Sequence, residues 1–204
     1  MVRDGLPFVF IPLMVALLAF AFGFWVLALP LLFIAAFMAY FFRDPRRTVP
    51  NDADIVVSPA DGRVTRVASL TSADGEVSNV VSIFLSVFDV HINRAPIAGE
   101  LVDVSYTKGR FVIATREDAS VVNEQNALTI RGPRITVVCK QIAGVLARRI
   151  VCWKTVGNQL ALGEKFGLIK FSSRTDLVLP PEVEVLVRVG ERVRGGSSVI
   201  GKVR

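Results

Sequence analysis

The residues of this chain with the clearest chemical potential are two adjacent serines, Ser172 and Ser173. They follow the mainly apolar run 166–171 and precede the charged residues Arg174 and Asp176. A serine hydroxyl becomes a good nucleophile when a base removes its proton and polar groups stabilise the oxyanion that forms. In a tight turn, the backbone bond before a serine can then be converted into a covalent cofactor. Considered alone, the pair also fits an ordinary polar turn.

Two further segments carry groups that could act as acids or bases. The sequence SPADG, 58–62, places Asp61 in an Asp-Gly pair after a strand, which alone is typical of a β-turn. The sequence DVHINRAP, 89–96, contains His91, the only histidine of the chain, and Arg94 three residues later. Imidazole is the side chain whose ordinary pKa lies nearest neutral pH. A lone histidine is nevertheless more often structural than catalytic.

The remaining polar and sulfur-containing residues complete the candidates. The segment ASVVNEQN, 119–126, reads as a polar loop in which Asn123 and Glu124 could bind a substrate. Cys139 and Cys152 are not in a Cys-x-x-Cys spacing, and a structural zinc site needs about four Cys or His ligands, so no metal site is expected. We interpret both cysteines as buried strand residues; a disulfide is the alternative.

The N-terminal part of the chain is apolar without interruption, since residues 5–42 contain no charged side chain. A membrane-spanning helix needs about 20 apolar residues, so the segment 1–42 has room for one long span or two short ones. Gly23 lies near the middle, between Pro12 and Pro30, which favours two short helices that turn back at 22–24. A single span is the alternative. A signal peptide is disfavoured because its apolar core is only about 7–15 residues long.

Basic residues flank this apolar segment on both sides: Arg3 before it, and Arg43, Arg46 and Arg47 after it. Because basic flanks stay in the cytoplasm, we expect a hairpin in the cell membrane with the following domain on the cytoplasmic side. The chain carries a net charge of +6, all of it after residue 42. This charge favours anionic lipid headgroups as partners, at about 1 kcal/mol per basic residue near the surface, and nucleic acid is not expected.

Residues 43–54 form a charged linker, and from residue 55 onward the pattern is that of β-structure. Short runs rich in Val, Ile and Thr alternate with turn sequences such as PADG and RGPR, without a helical pattern of 12 or more residues. The sequence therefore predicts a mostly β, barrel-sandwich-like domain over 55–204, with a C-terminal half that looks like half of a biotinyl or lipoyl domain. The predicted strands are 55–57, 62–68, 80–85, 99–106, 127–131, 135–141, 148–152, 176–179, 183–189 and 198–203.

Four segments, taken together, resemble the short bacterial and archaeal form of the phosphatidylserine decarboxylase family. SPADG is similar to the family's S-P-x-D-G motif, and FLSVFDVHINRAP to its segment around H-x-N-R-x-P. KGRFVIA followed by ASVVNEQN resembles its G-K-F and A-S…N-E-R-N stretch. GEKFGLIKFSSR resembles its cleavage region, G-E-x-F-G-L-I-x-F-G-S-R. Each motif alone is modest, but four in this order and spacing make the match specific.

The resemblance implies a proenzyme that cleaves itself between Ser172 and Ser173 and converts Ser173 into a covalent pyruvoyl group. A Schiff base between that group and the substrate amine would then allow phosphatidylserine to be decarboxylated to phosphatidylethanolamine. The two products, 1–172 and 173–204, would remain associated with each other, and the family suggests a homo-oligomer. The phospholipid substrate agrees with the apolar N-terminal segment.

The resemblance also implies roles for single residues. His91 would give the proton to the substrate α-carbon, and Asp61 would aid the attack by Ser173. Arg94 stands where longer members have a second histidine; because arginine stays charged near pH 7, it could instead bind a carboxylate or phosphate. Asn123, Glu124 and Arg174 would contact the substrate.

Ser172 departs from the family pattern, which mostly has glycine before the cleaved bond. Every residue has the attacked carbonyl, so what glycine adds is freedom at positive φ. A serine would cost about 1–2 kcal/mol if the turn required a left-handed residue there. Pyruvoyl-dependent histidine decarboxylases resemble this arrangement, since they cleave a Ser-Ser bond, and we expect processing to survive.

Two other functions fit parts of the sequence. A membrane-anchored, non-enzymatic β-sandwich adaptor would explain the apolar segment and the biotinyl-like tail, but not the Ser-Ser-Arg turn together with the other three motifs. A pyruvoyl decarboxylase acting on another amine headgroup would share the same machinery. An adaptor would stay a single chain, whereas an enzyme of this kind would be cleaved.

Overall fold

A computed structural model describes residues 1–71, 75–113, 119–145, 149–171 and 173–204 of the chain. Ser172 and the predicted start of a strand at Arg148 therefore lie outside the described residues. The chain divides into two compact units, 1–46 and 47–204. The described candidate residues all belong to the second unit.

The first unit is a pair of apolar helices after one short 3-10 helix, Arg3–Gly5. Helix α1 spans Leu6–Ala21 and helix α2 spans Trp25–Phe41, and they pack against each other. Gly23 has a φ of 80° in the turn between them, a left-handed conformation that glycine adopts without strain. The predicted helical hairpin is confirmed. By length and composition, the stretch Arg3–Ala21 could cross a membrane, while Trp25–Phe41 is a shorter apolar helix.

The second unit is mostly β, as predicted. Its described strands are β1 Ile55–Val57, β2 Gly62–Thr71, β3 Val77–Leu85, β4 Ile92–Arg94, β5 Gly99–Thr107, β6 Gln125–Arg131, β7 Thr136–Ala143, β8 Arg149–Cys152, β9 Gln159–Leu160, β10 Lys165–Lys170, β11 Ser173–Leu179, β12 Val183–Val185, β13 Arg192–Val193 and β14 Val199–Val203. The one described helix of this unit, α3, is a single turn, Ala119–Val122.

These strands form one large antiparallel sheet and two small ones. The large sheet has the order β13-β2-β3-β11-β7-β6-β5-β9, and the small sheets have the orders β1-β14-β12 and β4-β10-β8. Alternate residues of a strand face opposite sides, so one face of the large sheet supplies much of the apolar core. Core side chains on that face include Ile83, Leu85, Leu128, Cys139 and Leu177.

The sequence-based strand prediction was incomplete around the candidate site. It missed β4, β9, β10 and β13, and it began β11 at Asp176 instead of Ser173. Strand β10 is buried along nearly its whole length and therefore lacks the apolar-polar alternation of a half-exposed strand. Strand β4 has only three residues, of which two are polar. The third strand from the end was also shorter than expected, since β12 stops at Val185.

Candidate active site

Ser173 is the first residue of β11, in the middle of the large sheet. It pairs with Leu85 on β3 and with Ala143 on β7, and its side chain is fully buried. Its Oγ has no hydrogen-bond partner among the described residues. A buried hydroxyl without a partner costs about 1–3 kcal/mol, so this position is better explained by chemistry than by stability.

The backbone that leads into Ser173 is strained at Phe171. This residue has a φ of 62°, and it is the one non-glycine residue with a positive φ in the described ranges. Left-handed backbone at a bulky L-residue costs about 1–2 kcal/mol, and such residues concentrate at functional sites. The sequence raised the question of left-handed backbone at Ser172; the described residues show it at Phe171, immediately before the serine pair.

His91 lies at the end of the loop that follows β3, and it is buried. Its Nδ1 is 3.0 Å from the carbonyl oxygen of Asp89. Because a carbonyl oxygen can only accept, a hydrogen bond here places the proton on Nδ1 and makes Nε2 the basic nitrogen of the neutral ring. The amide of Ile169 on β10 donates to the His91 carbonyl at 3.3 Å, so His91 lies beside the strand that leads to Phe171.

Asp61 is held by hydrogen bonds to both oxygens of its carboxyl group. The amide of Gly195 donates to Oδ1 at 2.9 Å, and Arg47 donates to Oδ2 from Nη2 at 2.5 Å. Burial raises the pKa of Asp61 above its ordinary value, while the Arg47 charge and the Gly195 amide oppose the rise. The Asp89 carboxylate raises this pKa further, which places Asp89 within electrostatic reach of Asp61.

The backbone segments that carry Asp61 and Ser173 both lie at the C-terminal end of β3, where the loop to His91 begins. A Cβ on Gly62 would be 2.1 Å from the Phe84 carbonyl oxygen, so only glycine permits this close approach of the Asp61 segment. The next residue, Leu85, pairs directly with Ser173. The loop from Leu85 then reaches His91. Three stretches that are distant in sequence thus start from or end at this end of β3, and a direct approach of the three side chains stays a prediction.

A buried chain of polar side chains beside this region was not predicted from the sequence. Asn93 Nδ2 donates to Thr175 Oγ1 at 3.0 Å, and Gln141 Nε2 donates to Asn93 Oδ1 at 2.9 Å. Asn126 Nδ2 donates to Gln141 Oε1 at 3.0 Å. All four side chains are buried. The only sequence signal was a polar residue at core-facing positions of otherwise apolar strands.

Arg94 and Arg174 are both buried and both have protein partners. Arg94 donates from Nη1 to the Gly163 carbonyl oxygen at 3.1 Å. Arg174 donates to Asp176 Oδ1 at 2.6 Å and to Asp176 Oδ2 and Ser82 Oγ at 2.9 Å. Since neighbouring residues of a strand face opposite sides, Arg174 lies on the other face of β11 from Ser173. Substrate binding by either arginine stays a prediction.

Asn123 is fully buried and clamps the end of β7. Its Nδ2 donates to the carbonyl oxygens of Val112 at 2.9 Å and Ala143 at 2.7 Å, and its Oδ1 accepts from the Val112 amide at 2.9 Å. The Glu124 carbonyl oxygen accepts from the Ala143 amide at 2.9 Å. Because Ala143 pairs with Ser173, both residues support the start of β11 through the backbone. Direct substrate contact by Asn123 or Glu124 stays a prediction.

Two other features lie apart from this region. A cavity of about 430 Å³ includes none of the predicted site residues, and its apolar lining includes Ile55, Ile97, Ile135, Leu162 and Val203. Cys139 and Cys152 are free thiols on β7 and β8, and burial raises the pKa of Cys139. The described residues contain no group of three or more His, Cys, Asp or Glu side chains that could hold a metal ion.

Comparisons with known proteins agree on one family. The family model described as "Phosphatidylserine decarboxylase" matches residues 34–201. The chain is 51% identical to the phosphatidylserine decarboxylase proenzyme of Solibacter usitatus over 86% of this chain and 83% of that protein. It is 47% identical to the proenzyme of the same name from Symbiobacterium thermophilum, over 98% and 94% of the two chains. For that of Carboxydothermus hydrogenoformans the identity is 42%, over 100% and 97%.

Proposed function

The chain belongs to the phosphatidylserine decarboxylase family, and on this premise we propose that it decarboxylates phosphatidylserine with a pyruvoyl group made from Ser173. The observation that carries the proposal is the buried Ser173 Oγ without a hydrogen-bond partner among the described residues, two positions after the left-handed Phe171. The three relatives are named proenzymes, which agrees with a chain that must be processed.

Maturation uses the chain's own atoms. The Ser173 Oγ attacks the carbonyl carbon of Ser172, and the amide between them becomes an ester as the nitrogen of residue 173 leaves. Elimination then breaks the Cβ–O bond of residue 173, which releases the Ser172 carboxylate and leaves a dehydroalanine at position 173. Addition of water and loss of ammonia complete the pyruvoyl end of the 173–204 chain. The left-handed backbone at Phe171 stores about 1–2 kcal/mol of strain one residue before the cleaved bond, and release of this strain on cleavage favours the attack.

Two groups are suited to move the protons of this sequence. His91 has its Nδ1 directed at the Asp89 carbonyl oxygen, so its Nε2 is the ring nitrogen that can take a proton from Ser173 Oγ. Asp61 supplies negative charge nearby, which stabilises the imidazolium that results. His91 also holds the proton that is later delivered to the substrate α-carbon.

The position of residue 173 fits a pyruvoyl group, since it is buried, lies at a strand end and carries an oxygen with no hydrogen-bond partner among the described residues. When present, that group supplies the carbonyl that takes up the electrons left by departing CO₂. The protein excludes water around residue 173 and orients the substrate. Arg94 and Arg174 are the candidate groups for the charged headgroup, and Asn123 and Glu124 keep the end of β7 in place.

The two chains produced by cleavage would stay together. Strand β11, which begins the 173–204 chain, lies between β3 and β7 of the 1–172 chain and pairs with both. Strands β13 and β14 pair with β2 and β1 in the same way. Three strands of the short chain therefore pair with strands of the long chain, two of them in the large sheet and one in a small sheet. A homo-oligomer remains part of the proposal through the family alone.

The apolar helices and the basic charge of the second unit support a membrane-anchored enzyme that acts on a lipid from the cytoplasmic side. Phosphatidylserine in vesicles is then the substrate to test. Purified chain should release CO₂ and form phosphatidylethanolamine, and Ser173→Ala should remove the activity and stay uncleaved. An S173A chain that still decarboxylates would exclude the pyruvoyl mechanism. A wild-type chain that neither cleaves nor decarboxylates would favour the adaptor.

A further inference from the structure

Arg47 belongs to the linker that follows the helical hairpin, yet its side chain is only 12% exposed. Its Nη2 lies 2.5 Å from Asp61 Oδ2, and the Asp61 side chain is 14% exposed. The partners are separated by 14 positions in sequence. This is a largely desolvated pair between the linker and the SPADG segment, unlike the more exposed ion pair Arg134–Asp54.

The Arg47–Asp61 ion pair is not explained by a contribution to the stability of the fold. Arg47 Nε is buried and has no hydrogen-bond partner in the described part of the chain. An unsatisfied buried donor costs about 1–3 kcal/mol, and a buried ion pair often contributes little net stability. Removing one partner of such a pair leaves the other as an uncompensated buried charge. The arrangement therefore matters chiefly for the state of Asp61.

We infer that Arg47 is a positioning residue for maturation, which holds the Asp61 carboxylate ionised and fixed at the end of β3. This inference rests on the proposed function, since it assigns Arg47 a part in the self-cleavage at Ser173. With Gly195 on one oxygen and Arg47 on the other, the carboxyl group is anchored from two sides. The linker after the apolar helices thereby contributes a side chain, Arg47, that holds the carboxyl group of Asp61.

The charges around Asp61 give this inference a pH signature. Burial and Asp89 raise the pKa of Asp61, whereas Arg47 and the Gly195 amide lower it. Asp89 in turn faces Arg192, 3.4 Å away. When the Arg47 charge is removed, burial and the Asp89 carboxylate still act on Asp61, so the pKa of Asp61 rises further. If cleavage needs the carboxylate, its rate should then fall with decreasing pH from a higher pH than in the wild type.

The test is the rate of conversion of newly folded full-length chain to the 1–172 and 173–204 products between pH 5 and pH 8. We compare wild type with Arg47→Gln, Arg47→Lys and Arg46→Gln. Arg46 is exposed and adjacent, so R46Q removes the same charge from the same linker without touching Asp61. R47Q should slow cleavage at least about tenfold near pH 6 and shift the acidic limb upward. R47K should restore part of the rate, and R46Q should match wild type.

The outcomes separate this inference from the proposed function. If wild type cleaves and R47Q cleaves with the same rate and the same pH profile, Arg47 is not a positioning residue. Equal slowing by R46Q and R47Q would also overturn the inference, because it would reduce the effect to linker charge. If wild type itself stays uncleaved, the proposed function fails. Should R47Q not fold, R47K decides: a wild-type pH profile in that variant supports the role of the charge, and complete loss of cleavage in a folded R47K chain contradicts it.

Discussion

Asn93 Nδ2 donates a hydrogen bond to Thr175 Oγ1 at 3.0 Å, which joins the strand after His91 to the strand that begins with Ser173. Each partner stands two residues after the group that we propose to react. Both side chains are fully buried, and Gln141 donates to the other end of the Asn93 amide. The hydrogen bond therefore fixes the spacing of β4 and β11 from inside the core.

Replacement of Thr175 should reveal how much this connection contributes. Thr175→Val has nearly the same shape but removes the shorter hydrogen bond of Asn93 Nδ2 and leaves it only the Pro59 carbonyl oxygen at 3.5 Å, which should destabilise the fold by about 1 kcal/mol. Thr175→Ser keeps the hydroxyl and is the matched control, with a smaller loss from the missing methyl group. Denaturant unfolding in a Ser173→Ala background measures the difference without interference from cleavage. Equal stability of T175V and T175S would show that the hydrogen bond is unimportant.

The strain at Phe171 predicts opposite effects of two small replacements. Phe171→Gly and Phe171→Ala both remove the ring, but only glycine accepts the left-handed backbone without a penalty. In the S173A background, the free energy of unfolding of F171G should be about 1 kcal/mol higher than that of F171A. In the chain that keeps Ser173, F171G should be cleaved more slowly than F171A, because glycine releases the backbone strain that promotes the attack. Faster maturation of F171G than of F171A would mean that the left-handed residue does not assist cleavage.

Asp61 should make stability depend on pH in a definite direction. Burial raises its pKa in the folded chain, so the folded state binds its proton more tightly than the unfolded state. This tighter proton binding stabilises the folded chain at low pH. The stabilisation is lost as the pH rises through the pKa of Asp61 in the folded chain. Asp61→Asn lacks this titration. The stability of D61N relative to the Asp61 chain, both carrying S173A, should therefore increase from about pH 4 to pH 7. A difference that does not change with pH would contradict the direction of the shift.

His91 should be needed for turnover as well as for maturation. His91→Ala removes the only imidazole of the chain, and loss of a general acid or base typically slows a reaction by about 10²–10⁴-fold. Decarboxylation per mole of matured chain is the quantity to compare, so that slow cleavage is not mistaken for slow turnover. Normal turnover by matured H91A would leave His91 with a structural role.

Local sequence patterns were sufficient for the helical hairpin and for the mostly β class. A run without charge around Gly23 allows little else, and strand β6 alternates clearly between buried and more exposed residues. Strand β10 was not predicted, because burial on both faces removes that alternation. The start of β11 at Ser173 was missed for the same reason, since that strand is buried along nearly its whole length.

The candidate site was only partly accessible from sequence. Asp61, His91 and Ser173 could be named from their motifs, but the close approach at Gly62 that brings Asp61 to β3 depends on strand pairing. Asn93, Gln141 and Thr175 could not be connected, because they lie on three strands that are distant in sequence. Arg47 looked like one of three basic flanking residues. Only the folded chain distinguishes it, through its contact with Asp61.

The most direct measurement of the central claim is the intact mass of the purified full-length chain after incubation at neutral pH. We expect two species, 1–172 ending in a free carboxylate and 173–204 lighter by one ammonia than the same peptide with an N-terminal serine. Ser173→Ala should show one full-length mass under the same conditions. A single full-length mass for wild type, or a 173–204 fragment that retains an N-terminal serine, would contradict the conversion of Ser173 into a pyruvoyl group.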